Sequence, residues 1–331
     1  MTGGRSRWNR FIIPGTPSNN GMHPTRNSAA LIIKGSSGRV MPGVRSLRNK
    51  LLWTASYAMD EIAKYNIERW RALVDANALF TRPALNLDPI SAHERLDPEG
   101  RLGNLAGKDV LCLACGGGQQ SAAFALLGAN VTVFDLSEAQ LQRDAEASTH
   151  YGINIKMVQG DMRDLSCFER TAFDIVYHAY SLGFVPDPRI VFQQVARVLR
   201  LGGIYHFNCA NPFFVGLSEK DWNGEGYTLK QPYTDGAEVG CKDQGWVYDR
   251  SQSEAPIQFP REYRHTLSTL MGGLVEQSFM ILHVSDYSDF DPNPKAEPGT
   301  WDHFVSIAPP WLSFWTTYRP DVLLSRTEKV L

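Results

Sequence analysis

The sequence predicts an α/β fold, a doubly wound and mostly parallel sheet with helices on both faces. Three observations carry this expectation. Residues 108–209 alternate short apolar runs with helix-length segments, which is the rhythm of βαβ units. The first apolar run, residues 110–113, leads into three consecutive glycines, Gly116, Gly117 and Gly118. The second run closes on an acid, Asp135, 17 residues beyond Gly118. At 331 residues the chain has room for about two ordinary domains or one elaborated one.

The elements follow in order. Residues 1–45 are rich in Gly, Ser, Asn, Pro and Arg and read as a disordered basic leader. Residues 1–59 hold nine Lys/Arg and no acid, a bias shared with organellar transit peptides. Pro14, Pro17, Pro24 and Pro42 interrupt any amphipathic helix there, so upstream coding ahead of a start at Met22, Met41 or Met59 is an equal reading. Residues 46–107 are expected to form an N-terminal helical cap. Within residues 66–80, Ile67, Trp70, Leu73, Val74 and Ala78 recur at three- and four-residue steps, giving one apolar face that Pro83 ends. Residues 83–107 read as a connecting stretch.

The core is residues 108–209. Its first strand, residues 110–113, is followed by a small-residue helix over 119–127 that Gly128 stops. Residues 131–134 form the second strand. Ser137 and Gln140 have capping-box spacing and start a helix to about Tyr151, with Gly152 at its end. Residues 153–158 and 173–178 are the third and fourth strands. Residues 189–199 form a helix with Ile190, Val191, Val195, Val198 and Leu199 on one side. Gly202 and Gly203 then lead into a fifth strand over 204–208. Residues 210–262 break the rhythm with Gly, Pro and aromatics, including Phe213, Phe214, Trp222, Tyr227, Tyr233, Trp246, Tyr248 and Phe259. They read as a substrate-lid insert, with Asp235-Gly236 as a hairpin turn. Residues 263–331 complete the sheet: a helix over about 263–276, a strand over 279–284, a last strand at Trp301–Ile307 and an aromatic tail to Tyr318.

Composition narrows the function. No run of 18 apolar residues occurs, so the sequence predicts no transmembrane helix and a cytoplasmic protein. The net charge is −2, but beyond residue 59 the chain holds 24 Lys/Arg against 35 acids, a balance of −11. An acidic body is poorly suited to a nucleic-acid backbone. The five cysteines, Cys112, Cys115, Cys167, Cys209 and Cys241, are odd in number and suit a reducing compartment. Cys112 and Cys115 lack the second ligand pair that a zinc site needs, so no metal is expected.

Glycines after a buried strand let a ligand approach the backbone, and the N-terminus of the next helix points free N–H groups at it. An acid closing the following strand can accept hydrogen bonds from both hydroxyls of a ribose. Gly116-Gly117-Gly118 followed by Ser121 approximates a dinucleotide fingerprint. Gly160-Asp161-Met162 then closes the third strand and His178-Ala179-Tyr180-Ser181 the fourth. With these residues in place, the chain resembles the class I S-adenosylmethionine-dependent methyltransferases. It looks most like the methyltransferase type 11 branch related to ubiquinone and menaquinone biosynthesis. The likeness spans roughly residues 108–209, with looser similarity upstream to Trp70 and downstream through residues 266–271.

The resemblance implies a Rossmann-like seven-stranded sheet with an antiparallel last strand, an aromatic-rich insert after the fifth strand, and S-adenosyl-L-methionine as cofactor. Carried over by position, Ala114, Cys115, Gly116 and Gly118 cradle the methionine half. Asp135 holds the ribose hydroxyls, with Gln140 close by, and Leu136 flanks the adenine. Asp161 accepts the adenine amine, with Gly160 beside it in the same cofactor-binding turn, and Met162 packs beside the ring. His178 and Ala179 lie near the transferable methyl, with His178 and Tyr180 as candidate bases. Two departures stand out, since family members usually carry an acid at the position of Cys112 and a glycine at that of Ala114. The implied reaction is methyl transfer to a small-molecule acceptor. The alternatives are an NAD(P)-dependent oxidoreductase on the same type of sheet and a non-catalytic cofactor-binding relative. Asn211-Pro212-Phe213 is similar to a box of DNA amino methyltransferases, but it follows the fifth strand where that box follows the fourth.

Overall fold

The computed structural model describes residues 59–240, 257–286 and 292–322, with the backbone of residues 52–53. The basic leader, Cys241, Trp246 and Tyr248 lie outside the described residues.

Residues Asp109–Leu113 (β2) are buried on both faces, with Val110, Leu111, Cys112 and Leu113 all at 0% exposure. A strand with no polar side is the mark of a central parallel strand between two helix layers. Asn130–Asp135 (β3), Ile155–Gln159 (β4), Phe173–His178 (β5) and Leu199–Ala210 (β6) join it in parallel. Phe279–Ser285 (β9) and Trp311–Tyr318 (β10) complete one edge, with β10 antiparallel to both neighbours. The opposite edge carries a two-residue parallel strand, Leu52–Trp53 (β1), beside β4. The order is therefore β1-β4-β3-β2-β5-β6-β10-β9. This is the expected seven-stranded sheet with its antiparallel strand, extended by β1.

Two apolar layers sandwich the sheet. On one face Leu111, Val176, Tyr205, Phe207 and Phe314 pack against Pro188–Val198 (α5) and Leu267–Glu276 (α6). On the other, Val110, Cys112, Val133 and Tyr177 pack against Pro89–Leu96 (α2), Gln120–Leu126 (α3) and Glu138–Tyr151 (α4). Glu61–Asp75 (α1) begins the described cap, its N-cap Asp60 accepting from Ala63 N at 2.8 Å.

Several elements differ from expectation. The stretch over 83–107 contains α2, because Asp88 and Ser91 form a reciprocal capping box around Pro89 and its face buries Ala92 and Leu96. Trp301–Ile307 is a helix (α7), not the last strand. Thr300 caps it by accepting from His303 N at 3.4 Å, and Phe304 is fully buried against Phe214. The antiparallel strand is Trp311–Tyr318, after Pro309 and Pro310 stop α7. The predicted helix over 263–276 begins only at Leu267, because Arg261–Tyr263 (β8) pairs with Glu238–Gly240 (β7). Asp235-Gly236 precedes β7 and so does not join the two strands. There the Asp235 carboxylate accepts from Thr266 N at 3.0 Å, and Gly236 N donates to Arg264 O at 2.8 Å. Gly202 and Gly203 lie inside β6, whose first residue, Leu199, is predicted from sequence as the end of the preceding helix.

Candidate cofactor site

The parallel strands of the core bring their carboxyl ends to one edge, and the chain reverses direction across the sheet between β2 and β5. Ligands of open α/β sheets sit in the crevice at such a point. Ala114–Gly118 follow β2, Asp135 and Leu136 end β3, Gly160–Met162 follow β4, and Ala179 and Tyr180 follow β5. Ala114, Gly116, Asp135, Leu136, Asp161 and Ala179 are partly exposed along this edge, whereas Gly118, Gly160 and Met162 are buried beneath it. Two non-glycine residues there hold left-handed backbone, Ala114 (φ 47°) and Tyr180 (φ 53°). Such strain concentrates where a fold over-determines a binding edge.

The N–H groups of the glycine loop do not point freely at a ligand, as expected from the sequence. Gly116 N donates to Asp135 Oδ2 at 2.8 Å. Gly117 N and Gly118 N donate to the two oxygens of Asp144 at 2.9 and 3.0 Å. Ser121 Oγ donates to the same carboxylate. Gly118 is indispensable, because its φ is +69° and a Cβ would come within 2.5 Å of Arg143 O. At Gly116 a Cβ would meet Gln140 Cβ at 2.7 Å. From the other side, Gln119 Nε2 donates to Phe80 O and Arg82 O at 3.1 and 3.0 Å, so the cap is tied to the loop.

Asp135 also accepts from Ser137 N at 2.8 Å. The expected capping box is therefore only half made: Ser137 caps Gln140 N, but Gln140 turns its side chain to the glycine loop. Gln140 Oε1 is buried without a hydrogen-bond partner. Burial raises the Asp135 carboxyl to about 6, against the lowering effect of its backbone donors. Burial likewise raises Asp144 to about 7 despite its three donors.

Asp161 spends its carboxylate on Arg163, which contacts both oxygens at 2.6–3.1 Å and adds its backbone N–H at 2.9 Å. The same guanidinium grips Asp60 at 2.6 and 3.1 Å, tying α1 to the loop after β4. His178 is fully buried, with Nδ1 3.1 Å from the Tyr205 hydroxyl and Nε2 unpartnered. Burial, with His206 nearby, lowers its pKa to about 3. Cys115 Sγ accepts from Ala179 N at 3.1 Å and lies 3.1 Å from Leu113 O, stapling the exits of β2 and β5. Among the described residues no cluster of His, Cys, Asp or Glu could hold a metal. Tyr180 leans edge-on against Trp311 at 5.1 Å.

Asp144, Gln119, Arg163 and Asp60 were not anticipated. Asp144 had a signal: it falls on the buried stripe of α4 with Gln140, Leu141 and Ala147. An acid on an apolar face needs a reason.

A pyrophosphate would find the three glycine N–H groups taken, the Asp135 carboxylate at the rim and a second carboxylate, Asp144, behind the loop, so this loop does not suit a dinucleotide. S-adenosylmethionine carries a sulfonium and an ammonium beside its ribose. Asp135 offers unused lone pairs to hydroxyls, Gln140 Oε1 is an acceptor in want of a donor, and buried carboxylates favour a cation. The residues present fit that group.

The comparisons agree. A profile of the methyltransferase domain family matches residues 111–207. An uncharacterized methyltransferase of Bacillus subtilis (strain 168), YbaJ, is 31% identical over 180 residues, covering 54% of this chain and 68% of that protein. The ubiquinone biosynthesis O-methyltransferase of Pseudomonas syringae pv. tomato is 34% identical over 153 residues, covering 46% of this chain and 62% of the relative. The solved S-adenosylmethionine-dependent methyltransferase of Mesorhizobium loti superposes with a TM-score of 0.52 at 21% identity, over 71% of this chain and 100% of that one, which speaks for the fold. With the glycine loop, Asp135 closing β3 and the strand order in place, the chain belongs to the class I S-adenosylmethionine-dependent methyltransferases.

Proposed function

We propose that the protein methylates a small, largely apolar molecule seated between the cofactor crevice and an aromatic wall. The observation that carries this reading is the position of that wall. Trp311 begins β10 opposite Ala210 at the carboxyl end of β6, and it meets Tyr180 at 5.1 Å and Phe214 at 6.4 Å. Phe214 continues to Phe304 at 5.1 Å and Trp301 at 6.3 Å, and Tyr227 closes on Phe304 at 4.7 Å. These rings come from the exit of β5, from the insert after β6, from α7 and from β10. Loops on a rigid scaffold of this kind set specificity.

The bound cofactor supplies an activated methyl on a sulfonium. The residues of this chain hold and exclude. Asp135 takes the ribose hydroxyls, Leu136 and Met162 flank the adenine, and the Ala114–Gly118 loop lies under the methionine half. Asp161, already bonded to Arg163, shares an oxygen with the adenine amine. Positioning two reactants in line contributes about 7–11 kcal/mol to such a reaction. Fully buried and with its pKa lowered to about 3, His178 is too weak a base to hold a proton at working pH, and it packs behind the strand exit. Tyr180, on its strained backbone, faces the acceptor from the rim of the same strand exit.

No helix among the described residues is long and apolar enough to cross a membrane. The free thiols Cys112, Cys115, Cys167 and Cys209 go with a reducing cytoplasm. The test is transfer of labelled methyl from S-adenosylmethionine into fractionated small-molecule extract. Label appearing in an apolar fraction, and lost with Trp311→Ala, is expected. Label confined to protein or nucleic acid would refute the reading.

A further inference from the structure

We infer that Asp144 is a positioning residue for the cofactor: from behind the glycine loop it holds residues 117–118 in their binding shape and places a negative charge beneath the cationic half of the ligand. The inference rests on the reading that the crevice binds S-adenosylmethionine, and it concerns a residue on a helix outside the loop itself.

The geometry is specific. Asp144 is at 0% exposure on α4, one of few acids so deeply placed. Both its oxygens are spent on the loop and on the helix that follows it: Oδ2 accepts from Gly117 N at 2.9 Å, and Oδ1 from Gly118 N at 3.0 Å and from Ser121 Oγ. The loop lies directly on α4, since a Cβ at Gly118 would reach Arg143 O at 2.5 Å and Ala147 Cβ at 3.0 Å. This carboxylate therefore fixes two consecutive peptide groups of the segment that the cofactor must lie against.

Its charge has no cation to answer it among the described residues. Asp135 faces it from β3 and Ser121 from α3, while Cys112 and Cys115 come from β2 and its exit. On α4 itself, Arg143 carries its guanidinium away to Glu146, Val74 O and Asn77 Oδ1. Burying a carboxylate without a counter-charge is costly, and the cost is offset if a cation arrives with the ligand. Cys112 sits beneath the same loop with a neutral thiol, pushed up by burial and in part by the charges of Cys115 and Asp144. The acid that the strand lacks at residue 112 is thus supplied from α4.

The distinguishing experiment is isothermal titration of the full chain with S-adenosylmethionine, whose sulfur is charged, and S-adenosylhomocysteine, whose sulfur is not. In the native protein, affinity for the charged ligand should rise as pH increases through about 7, where Asp144 ionises. Asp144→Asn should weaken both ligands about tenfold through the loosened loop, and the charged one by a further several-fold. It should also remove the part of the pH profile near 7. Ser121→Ala is the milder variant: losing one donor, it should move the profile's midpoint upward while leaving melting close to native. An unshifted midpoint in Ser121→Ala, or equal affinities and pH profile in a folded Asp144→Asn, would overturn the inference. If the native protein binds neither ligand, the cofactor reading itself fails and takes this inference with it. Native binding with unaltered variants refutes the role of Asp144 alone.

Discussion

Asp135 shapes the loop through Gly116 N and Ser137 N, and in the proposed reading its remaining lone pairs serve a ribose. Replacing it with Ala should therefore cost about 2–4 kcal/mol of cofactor affinity in a titration, because both hydroxyls and the loop lose a charged acceptor. An unchanged dissociation constant would show that the nucleoside lies elsewhere. Ala114 sits at φ 47°, a conformation that costs an L-residue about 1–2 kcal/mol. Ala114→Gly should then be neutral or stabilising by up to about 1 kcal/mol in denaturant unfolding, with cofactor binding retained. Clear destabilisation would mean that the methyl group contributes packing worth more than the strain. At this scale, legibility followed sequence distance. Gly116, Gly118 and Asp135 could be found because a strand, a turn and an acid lie in fixed order along the chain. The ties of Arg163 to Asp60 could not, because the partners are 103 residues apart and nothing local marks them.

Among the elements, the parallel core was legible because apolar runs ended by glycine or acid have few other uses. The misassignment of residues 301–307 has a simple cause, since a short apolar stretch carries too few residues to separate a period of 2 from one of 3.6. Trp301–Ile307 satisfies strand alternation, yet Thr300 as cap and Phe304 against Phe214 make it a helix. The link between α1 and the loop after β4 also belongs to this scale. Arg163 has a side chain only 7% exposed, held between Asp60 and Asp161. Arg163→Ala should lower stability by about 3 kcal/mol by stranding the more buried Asp161, and should weaken adenosine-containing ligands in parallel. A urea midpoint equal to native would show that the latch contributes nothing.

Over the whole molecule, buried titratable groups set opposing responses to pH. Asp135 and Asp144 have raised values of about 6 and about 7, so the stability they allow is full below their ordinary range near 4 and falls as pH rises through those values. His178 and His206 are lowered to about 3, so the neutral core they need is intact above 6.5 and is undermined as pH falls from there toward 3. Loss of stability on acidification thus belongs to the histidines, and loss as pH rises from about 4 through 7 to the loop carboxylates. His178→Gln should lose less stability than the native protein between pH 7 and pH 5 in urea unfolding, and parallel curves would contradict the assignment. The segment after β6 could be read from sequence only as an aromatic insert, because the pairing of β6 with β10, 108 residues apart at His206 and Phe314, is encoded by no local pattern.

Parallel isothermal titration of the purified chain with S-adenosylhomocysteine and with NADH tests the central claim most directly. Micromolar binding of the first and none of the second is the predicted result, because the N–H groups of all three loop glycines are committed to Asp135 and Asp144 rather than aimed at a pyrophosphate. Binding of NADH without S-adenosylhomocysteine would contradict it.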